Sequence, residues 1–261
     1  MNIKATIDKI IQRLNDQRIN SLFINNNYED DEDVMKNNLT TSEKIIKRLN
    51  EQHINFFAND NISSFISDEE LSDLQYEVEE KAEALLRSLV IDTNRDHNTR
   101  NTAKRIAKML LRETLNGRYE SPPQITSFPN VKLLDEMVIT KAEIKSLCSH
   151  HFQNISGFAY IGILYGENVL GLSKINRIAE HFARRPQIQE ELIVQIADFL
   201  EREIKPRGIG IIIRAEHFCV SCRGVNQDSW MTTSVMRGEF RDNPSLKAEF
   251  LHLIEMSNKN L

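Results

Sequence analysis

The sequence predicts an α+β fold in which helices precede an antiparallel sheet. The first glycine is Gly117 and the first proline is Pro122, so the first 116 positions lack the two residues that most often interrupt helices. Apolar residues in that part recur at helical spacing, whereas short, β-branched segments bounded by turn residues follow later in the chain. Helices followed by antiparallel strands that enclose a helix pair are typical of the α+β class.

Residues 1–68 form the first predicted unit, an acidic, Asn-rich extension with a degenerate two-copy repeat. Residues 10–20 match residues 45–55 at a shift of 35 positions. Thr40 and Glu43 fit a capping box that opens the second copy. The apolar residues of this copy form a weak amphipathic stripe, namely Ile45, Ile46, Leu49 and Ile54. We expect a helical or partly disordered extension, and a helical appendage that packs on a partner or a subunit is favoured over an unstructured tail.

The second predicted unit, residues 69–261, begins with two helices. The first has an acidic first turn and apolar residues at helical spacing, namely Leu71, Leu74, Val78, Leu85 and Leu89. The second is expected from about residue 99, capped by Asn98, to residue 115, with Gly117 closing it.

After a proline-containing connector at residues 121–129, the pattern changes to strands. Four strands are expected from their β-branched composition and turn-bounded ends, at residues 137–145, 155–164, 208–215 and 229–239. Two helices are expected between the second and third strands, at residues 174–184 and 187–204.

Charge and composition argue against nucleic acid and membranes as partners. The formal net charge is −5. Residues 1–70 carry eight Lys/Arg against thirteen Asp/Glu and the remainder carries 25 of each sign, so no basic excess is available to bind a duplex. No apolar run approaches the ~20 residues of a membrane helix, and the first residues lack the layout of a signal peptide. We therefore expect a cytoplasmic protein.

The three cysteines all lie between positions 148 and 222, are too few and too clustered for a secreted disulfide framework, and suggest metal or redox chemistry. Cys148 and His151, three positions apart, can bind one ion from a single tight turn, and thiolate with imidazole suits Zn²⁺. Cys219 and Cys222 have the same spacing. A closed structural zinc site with these four ligands is therefore one interpretation.

A catalytic zinc site with three protein ligands is the other interpretation. If residues 214–219 form a strand, His217 and Cys219 share one face, and Cys222 falls on the other face or beyond the strand end. Three ligands would leave the fourth position for water. His150 and His217 would then be imidazoles beside the metal, suited to proton transfer near neutral pH.

Two further groups of residues suggest recognition of a nucleotide. Ser173 can cap a helix whose first turns carry Lys174 and Arg177, which makes an anion site for phosphates. Glu190 can accept two hydrogen bonds from an edge such as guanine N1–H and N2–H₂. Both patterns have ordinary structural explanations, because capped helices with exposed cations are common and an acidic residue in a first turn stabilises the helix dipole.

Taken together and in order, these motifs resemble the GTP cyclohydrolase I family over about residues 70–256. The motifs are Cys148-x-His150-His151, Gly171-Leu-Ser-Lys-x-x-Arg177, Arg185-Pro-Gln-x-Gln189-Glu190 and His217-x-Cys219 followed by Arg223-Gly224. Four motifs with matching gaps are far more specific than any one of them.

The resemblance implies an enzyme that converts GTP to 7,8-dihydroneopterin triphosphate and formate. It implies one zinc ion per subunit on Cys148, His151 and Cys219, with Cys222 not a ligand. It places the triphosphate on Ser173, Lys174, Arg177 and Arg223, together with Arg105 of a neighbouring subunit. It assigns guanine recognition to Gln189 and Glu190, and proton transfer to His150 and His217, with Ser173 assisting ring closure.

The family also implies a tunnelling-type α+β subunit whose sheets join into a barrel, in a homo-oligomer that we expect to be a decamer. One departure is Ser149, which stands where the family usually has Glu. A short hydroxyl cannot supply the charge of a carboxylate, so turnover or specificity is expected to differ. The alternative function is a catalytically silent, nucleotide-binding relative with a regulatory or scaffolding role.

Overall fold

The computed structural model describes residues 39–259. The first described helix, α1 (Thr41–Glu51), lies in the second copy of the repeat, and the first copy at residues 10–20 falls outside the described residues. The Thr40 hydroxyl accepts a hydrogen bond from the Glu43 amide, and the Glu43 carboxylate accepts one from the Thr40 amide. The predicted capping box is therefore confirmed.

Helix α1 packs against the longer helix α2 (Asp68–Ser88), which a single 3₁₀ turn (Ser63–Phe65) precedes. The contact is a small buried cluster that contains Ile45, Leu49, Ile62, Leu71, Leu74 and Leu111. Arg48 of α1 also forms an ion pair with Glu70 of α2, and this hydrogen-bonded guanidinium lowers the pKa of the carboxyl to about 2. The N-terminal segment is thus joined to the rest of the chain by both apolar and charged contacts.

The second half of α2 buries a different set of residues from the predicted stripe. Leu85 and Leu89 are 59% and 62% exposed, whereas Ala82 and Leu86 are buried against α3 (Thr102–Lys108). Residues four apart on a helix share a face, so Ala82 and Leu86 continue the buried face of the first half.

Helix α3 begins three positions later than predicted and is followed by a wider, π-type helical segment (Met109–Thr114) and a short helix α4 (Asn116–Tyr119). Asn98 does not cap it, because the preceding residues form turns in which Asp96 accepts hydrogen bonds from the Asn98 amide and side chain. Side chains of Asp and Asn commonly compete with helix formation in this way.

The central sheet contains β2 (Met137–Cys148), β3 (Asn154–Leu164), β5 (Pro186–Gln187), β6 (Gly208–His217) and β7 (Trp230–Gly238). Its order is β5-β2-β3-β6-β7, and the four long strands are antiparallel to their neighbours. Only β5 is parallel to its partner, the carboxyl end of β2. Two short strands, β1 (Ser127–Pro129) and β4 (Asn168–Leu170), pair separately. The four predicted strands are confirmed, each with its ends shifted by at most three residues.

Helices cover both faces of the sheet. The predicted helix pair is confirmed as α5 (Leu172–Ala183) and α6 (Gln189–Ile204), which pack over alternate strand residues such as Ile161 and Ile163 in the main core. The single-turn helices α7 (Phe218–Ser221) and α8 (Glu239–Asp242) follow β6 and β7, and α9 (Pro244–Lys259) ends the described chain. The ring of Phe250 from α9 lies over the opposite face at Gly162 and Gly210.

The α+β class with helices before an antiparallel sheet is confirmed. None of the helices within residues 39–259 is long and apolar enough to cross a membrane. The division of the chain at residue 68 stays a prediction. Residues 41–66 nevertheless make many contacts with the unit that follows, including a backbone hydrogen bond from the Ile62 amide to the Arg118 carbonyl.

Gly117 lies inside α4 and does not close a helix. A Cβ atom at this position would lie 2.0 Å from the His181 carbonyl oxygen and 2.9 Å from the Arg184 carbonyl oxygen. The glycine therefore permits the close approach of two backbones, and its conformation is an ordinary one.

Gly117→Ala is expected to destabilise the protein by at least about 2–3 kcal/mol, because backbone atoms must move to relieve the clash. Gly171→Ala is the matched control, since its nearest neighbouring atom would be the Lys174 Cγ at 4.0 Å. Equilibrium unfolding in urea measures both variants. Equal stability of the two variants would contradict the explanation for Gly117.

Candidate active site

The candidate metal site is built on the turn that links β2 to β3. Cys148 ends β2 and is buried at 4% exposure. Its amide donates to the Gln153 carbonyl and its carbonyl accepts from the Phe152 amide, both at 2.8 Å, so residues 148–153 form a tight turn. This turn carries His151 back towards Cys148, as the three-residue spacing predicted.

Cys219 completes a cluster with Cys148 and His151. The three potential ligand atoms all lie within 4.8 Å of one another. The condition that residues 214–219 form a strand is not met, because β6 ends at His217 and Cys219 lies on the helical turn α7. Since the chain turns there, Cys219 points to the cluster by helical geometry and not by strand alternation.

Cys222 lies outside this cluster. It is exposed, and its sulfur is 3.9 Å from the Ser221 hydroxyl. The closed four-ligand arrangement is therefore not formed by the described residues in this conformation. Two thiolates and one imidazole suit a zinc ion, and three protein ligands leave a position open for water or substrate.

Electrostatic effects within the cluster fit a metal site. Burial raises the pKa of the Cys219 thiol, and the adjacent Cys148 raises it further, while the positive charge of Arg223 lowers it. Two thiolates at this distance repel each other without a cation, so a bound ion would stabilise both deprotonated sulfurs. His150 is exposed, with its Nδ1 atom 3.7 Å from the Cys148 sulfur.

Gln189 holds His217 at the edge of the cluster. The Gln189 side chain is fully buried, and its Nε2 atom faces the Ile213 and Met231 carbonyls at 3.1 and 3.2 Å. Those carbonyls only accept hydrogen bonds, so the amide nitrogen must face them and the Oε1 atom must face His217. The His217 Nε2 atom, 2.9 Å from that oxygen, is therefore assigned as the donor, which leaves Nδ1 as the free ring nitrogen.

Glu190 follows Gln189 in the sequence and differs from it in exposure. Its side chain is exposed, and its negative charge raises the pKa of His217, although burial of the imidazole is the larger effect and lowers it overall. Gln189 is thus fully occupied by protein contacts, whereas the Glu190 carboxylate is free to meet a ligand. The predicted contact of Gln189 with guanine stays a prediction.

The predicted phosphate residues of α5 lie away from this cluster. Ser173 and Lys174 are in the first turn of α5, whereas the last turn leads to β5 beside Cys148, so about 16 Å of helix separates them. Ser173 does not cap α5, because Gly171 occupies the N-cap position. Arg177 is exposed one turn further along.

The remaining predicted residues are exposed cations. Arg223 follows Cys219 by four positions, and its positive charge lowers the pKa of that thiol. Arg105 is exposed on α3, a helix that packs mainly against α2. The structure of one chain therefore unites the metal, histidine and glutamate groups but not all of the phosphate groups.

Three buried polar residues beside the metal turn were missed by sequence reasoning. Asn59, Arg185 and Gln187 are at most 8% exposed. Arg185 and Gln187 belong to the motif at residues 185–190, but the residue types do not indicate that their side chains point into the protein. Asn59 lies in the extension, to which no function was assigned.

Comparison with known proteins agrees with this arrangement. Residues 78–255 match the family model for GTP cyclohydrolase I. The chain belongs to the GTP cyclohydrolase I family. It is 39% identical over 177 residues to GTP cyclohydrolase 1 of Aeromonas salmonicida, which covers 67% of this chain and 81% of that protein. It is 37% identical over 181 residues to the enzyme of Mycobacteroides abscessus, covering 67% and 88% respectively.

Among solved structures, the apo form of the archaeosine synthase QueF-Like aligns with 38% of this chain and 91% of its own, at 13% identity and a TM-score of 0.31. That score is too low for a shared fold to be inferred from it. The assignment to the GTP cyclohydrolase I family, an enzyme family of hydrolases, therefore depends on the sequence matches and not on this structure.

Metal binding is expected to require Cys148 but not Cys222. Cys148→Ser removes one of three ligands and should lower the bound zinc, after dialysis, to well below one ion per chain. Cys222→Ser is the matched control and should retain one ion per chain, because its sulfur lies outside the cluster. Elemental analysis of the purified variants measures both. Loss of zinc from Cys222→Ser would favour the closed structural site, in which Cys222 is the fourth ligand beside Cys148, His151 and Cys219.

Proposed function

We propose that this protein is a zinc-dependent GTP cyclohydrolase I, which converts GTP to 7,8-dihydroneopterin triphosphate and releases formate. The observation that supports it best is that a three-ligand cluster, a histidine held by Gln189 and the exposed carboxylate of Glu190 come from the ends of interior strands and the first turn of α6. This combination offers hydrolytic chemistry and purine recognition within one site. We further propose that the protein acts in the cytoplasm.

Cys148, His151 and Cys219 would hold the metal. When bound, such an ion is a Lewis acid that activates water for hydrolysis at neutral pH. The three ligands come from two segments that the sheet fixes, the β2–β3 turn and α7, so their relative positions are set before any ion binds. This preorganisation suits a site that must hold an ion and a substrate together.

His217 would move protons at its free Nδ1 atom. Burial lowers its pKa, so the imidazole is neutral at pH 7 and can accept a proton there while Gln189 fixes the ring. His150, exposed beside Cys148, is the second imidazole able to give a proton to the purine ring as it opens. Two such groups meet the need for one acid and one base during ring opening and reclosure.

Glu190 would select guanine. Its carboxylate can accept hydrogen bonds from N1–H and N2–H₂ of guanine at the same time. Adenine offers no such pair of donors, so the carboxylate would lose its hydrogen bonds to water without gaining new ones from the base. Selection of the base would therefore depend on a charged acceptor that the protein itself leaves unpaired.

Binding of the triphosphate would require a second copy of the chain. Ser173 and Lys174 are separated from the metal turn by most of the length of α5, and Arg177 by about half of it, given 1.5 Å per residue. Arg105 lies on α3, which packs against α2. The outer edge of β7 and most of the outer edge of β2 have no strand partner in the described chain. Such edges pair readily with other strands. We propose a homo-oligomer, of the decameric type that the family implies, in which a neighbour brings these cations to the site.

Ser149 bears on the alternative of a catalytically silent relative. Its amide donates to the Gln187 carbonyl at 2.9 Å, so the backbone of the metal turn is held even though the family carboxylate is missing. The metal ligands, His217 and Glu190 are all present, which favours the enzyme. Incubation with GTP, oxidation and detection of pterin fluorescence separates the two functions, because a silent relative would bind the nucleotide without product.

Glu190→Gln is expected to lower kcat/KM for GTP by at least about 100-fold, because the charged acceptor of two donors is lost. Glu203→Gln is the matched control on the same helix and should change kcat/KM little, because Glu203 is exposed in the last turn of α6, at the end away from the metal turn. Formate release measures turnover, and circular dichroism checks folding. An unchanged kcat/KM for Glu190→Gln would remove this residue from the guanine site.

His217→Ala should abolish formate release, because it removes the proposed proton acceptor, and should leave the oligomer intact.

Gln189→Leu keeps His217 but frees its ring, and kcat should fall by about 10–100-fold because general acid–base catalysis needs a fixed proton acceptor. Thr233→Val is the control, since it removes one hydrogen bond to Gln189 Nε2 and leaves the two backbone carbonyls in place. A wild-type kcat in Gln189→Leu would show that His217 needs no such support.

A further inference from the structure

Asn59 lies in the N-terminal extension, yet its side chain reaches the strand that supports the metal turn. The residue is 8% exposed. Its Nδ2 atom donates to the Gln187 Oε1 atom at 3.2 Å and to the carboxylate of Glu191, and its carbonyl accepts from the Arg185 Nη1 atom at 3.1 Å. One residue of the extension therefore contacts three residues at β5 and the start of α6.

Gln187 is the link between Asn59 and the metal ligand. Its backbone pairs with Cys148 in the parallel register of β5 and β2, and its carbonyl accepts from the Ser149 amide at 2.9 Å. The side chain is fully buried, with Nε2 donating to the Phe182 carbonyl at 2.8 Å and to the Gln195 Oε1 atom at 2.9 Å. Asn59 supplies the donor for the remaining Oε1 atom.

The Phe182 carbonyl and the Glu191 carboxylate fix the orientation of the side-chain amides of Gln187 and Asn59. The Phe182 carbonyl can only accept, so Gln187 must turn its nitrogen towards it and its oxygen towards Asn59. The Glu191 carboxylate, when ionised, can also only accept, so Asn59 must present its nitrogen to both partners. An oxygen in place of the Asn59 nitrogen would face two other oxygens.

Strand β5 needs this side-chain support because it is short. It consists of Pro186 and Gln187, and proline has no amide hydrogen to donate to β2. The strand is held instead by the Ser149 amide, by the Ser146 hydroxyl that donates to the Arg185 carbonyl at 3.2 Å, and by the buried side chain of Gln187.

We propose that Asn59 is a positioning residue for the metal turn, acting through Gln187 on Cys148. The ligand concerned is a thiophilic divalent cation such as zinc. The inference rests on the proposed function for its effect on turnover, but its effect on metal affinity can be measured without GTP.

Two substitutions of Asn59 test this role in the full-length protein. Asn59→Ala removes the donor to Gln187, and Asn59→Asp keeps the shape but reverses the polarity. Loss of a supporting hydrogen bond near a metal typically costs about 10–100-fold in affinity; for this indirect contact we expect a zinc dissociation constant about tenfold higher in Asn59→Ala and higher still in Asn59→Asp. Competition with a chromogenic chelator measures both.

Asn61→Ala is the matched control. Asn61 lies in the same segment and donates to the Gly117 and Glu120 carbonyls, so its loss weakens docking of the extension without touching β5. Its zinc dissociation constant should equal that of the wild type. An equal loss of zinc affinity in Asn61→Ala and Asn59→Ala, or wild-type affinity in both Asn59 variants, would overturn the proposal.

Gln195→Ala provides a second route to the same conclusion if the Asn59 variants do not fold. It removes a different partner of Gln187 and leaves the extension unchanged, so zinc affinity should fall in the same direction. Unchanged affinity would count against the role of Gln187. In parallel, wild-type protein is assayed for formate release. Absence of formate would refute the proposed function alone, since the zinc measurements stand without it.

Discussion

The arrangement of the candidate site depends on the pairing of two residues, Pro186 and Gln187, with the carboxyl end of β2. This short parallel contact lies between α5 and α6 in the chain. It fixes the Cys148 end of β2 on one side and the first turn of α6, with Gln189 and Glu190, on the other. Because β5 offers few backbone hydrogen bonds, buried side chains are also needed to hold it against β2. These side chains thereby fix the position of the candidate site.

Residues 187–190, from the end of β5 into the first turn of α6, differ in role according to whether their side chains point inwards or outwards. Gln187 and Gln189 are fully buried, and their amides are saturated by protein groups. Glu190, adjacent to Gln189, is exposed, and its carboxylate faces solvent. An amide suits the inward positions because it both donates and accepts, whereas a buried carboxylate there would need additional donors. The same stretch of sequence thus both supports the metal turn and presents an exposed carboxylate.

Much of the fold was predictable because its signals are local. The sheet strands and the pair α5 and α6 have clear periodicity, and the Thr40 capping box requires only two residues. Local rules failed where a tertiary contact decided the outcome. Gly117 is needed for close contact with α5, and the second half of α2 turns Leu86, not Leu85, towards α3.

In the candidate site, too, local spacing predicted some features and tertiary contacts decided the others. Cys148 and His151 belong to one turn, so their proximity followed from spacing, whereas the position of Cys219 was expected for the wrong reason because the strand ends before it. Residue type gave no indication that Gln189 would be saturated inside the protein or that Asn59 would reach Gln187 across 128 positions of sequence. Contacts at such separation depend on the folded topology and leave no local pattern.

The docking of residues 41–66 also bears on where this chain can be shortened. The family match begins at residue 78, which would suggest that everything before it is dispensable. The buried hydrogen bonds indicate otherwise. A chain that began at residue 78 would lack Asn59, which bonds to the guanidinium of Arg185 and to the side-chain oxygen of Gln187. Truncation limits are set by such buried partners and not by the extent of sequence similarity. A shortened chain would therefore have to keep Asn59, and it would have to keep α1 as well for Leu71 and Leu74 to stay covered by Ile45 and Leu49.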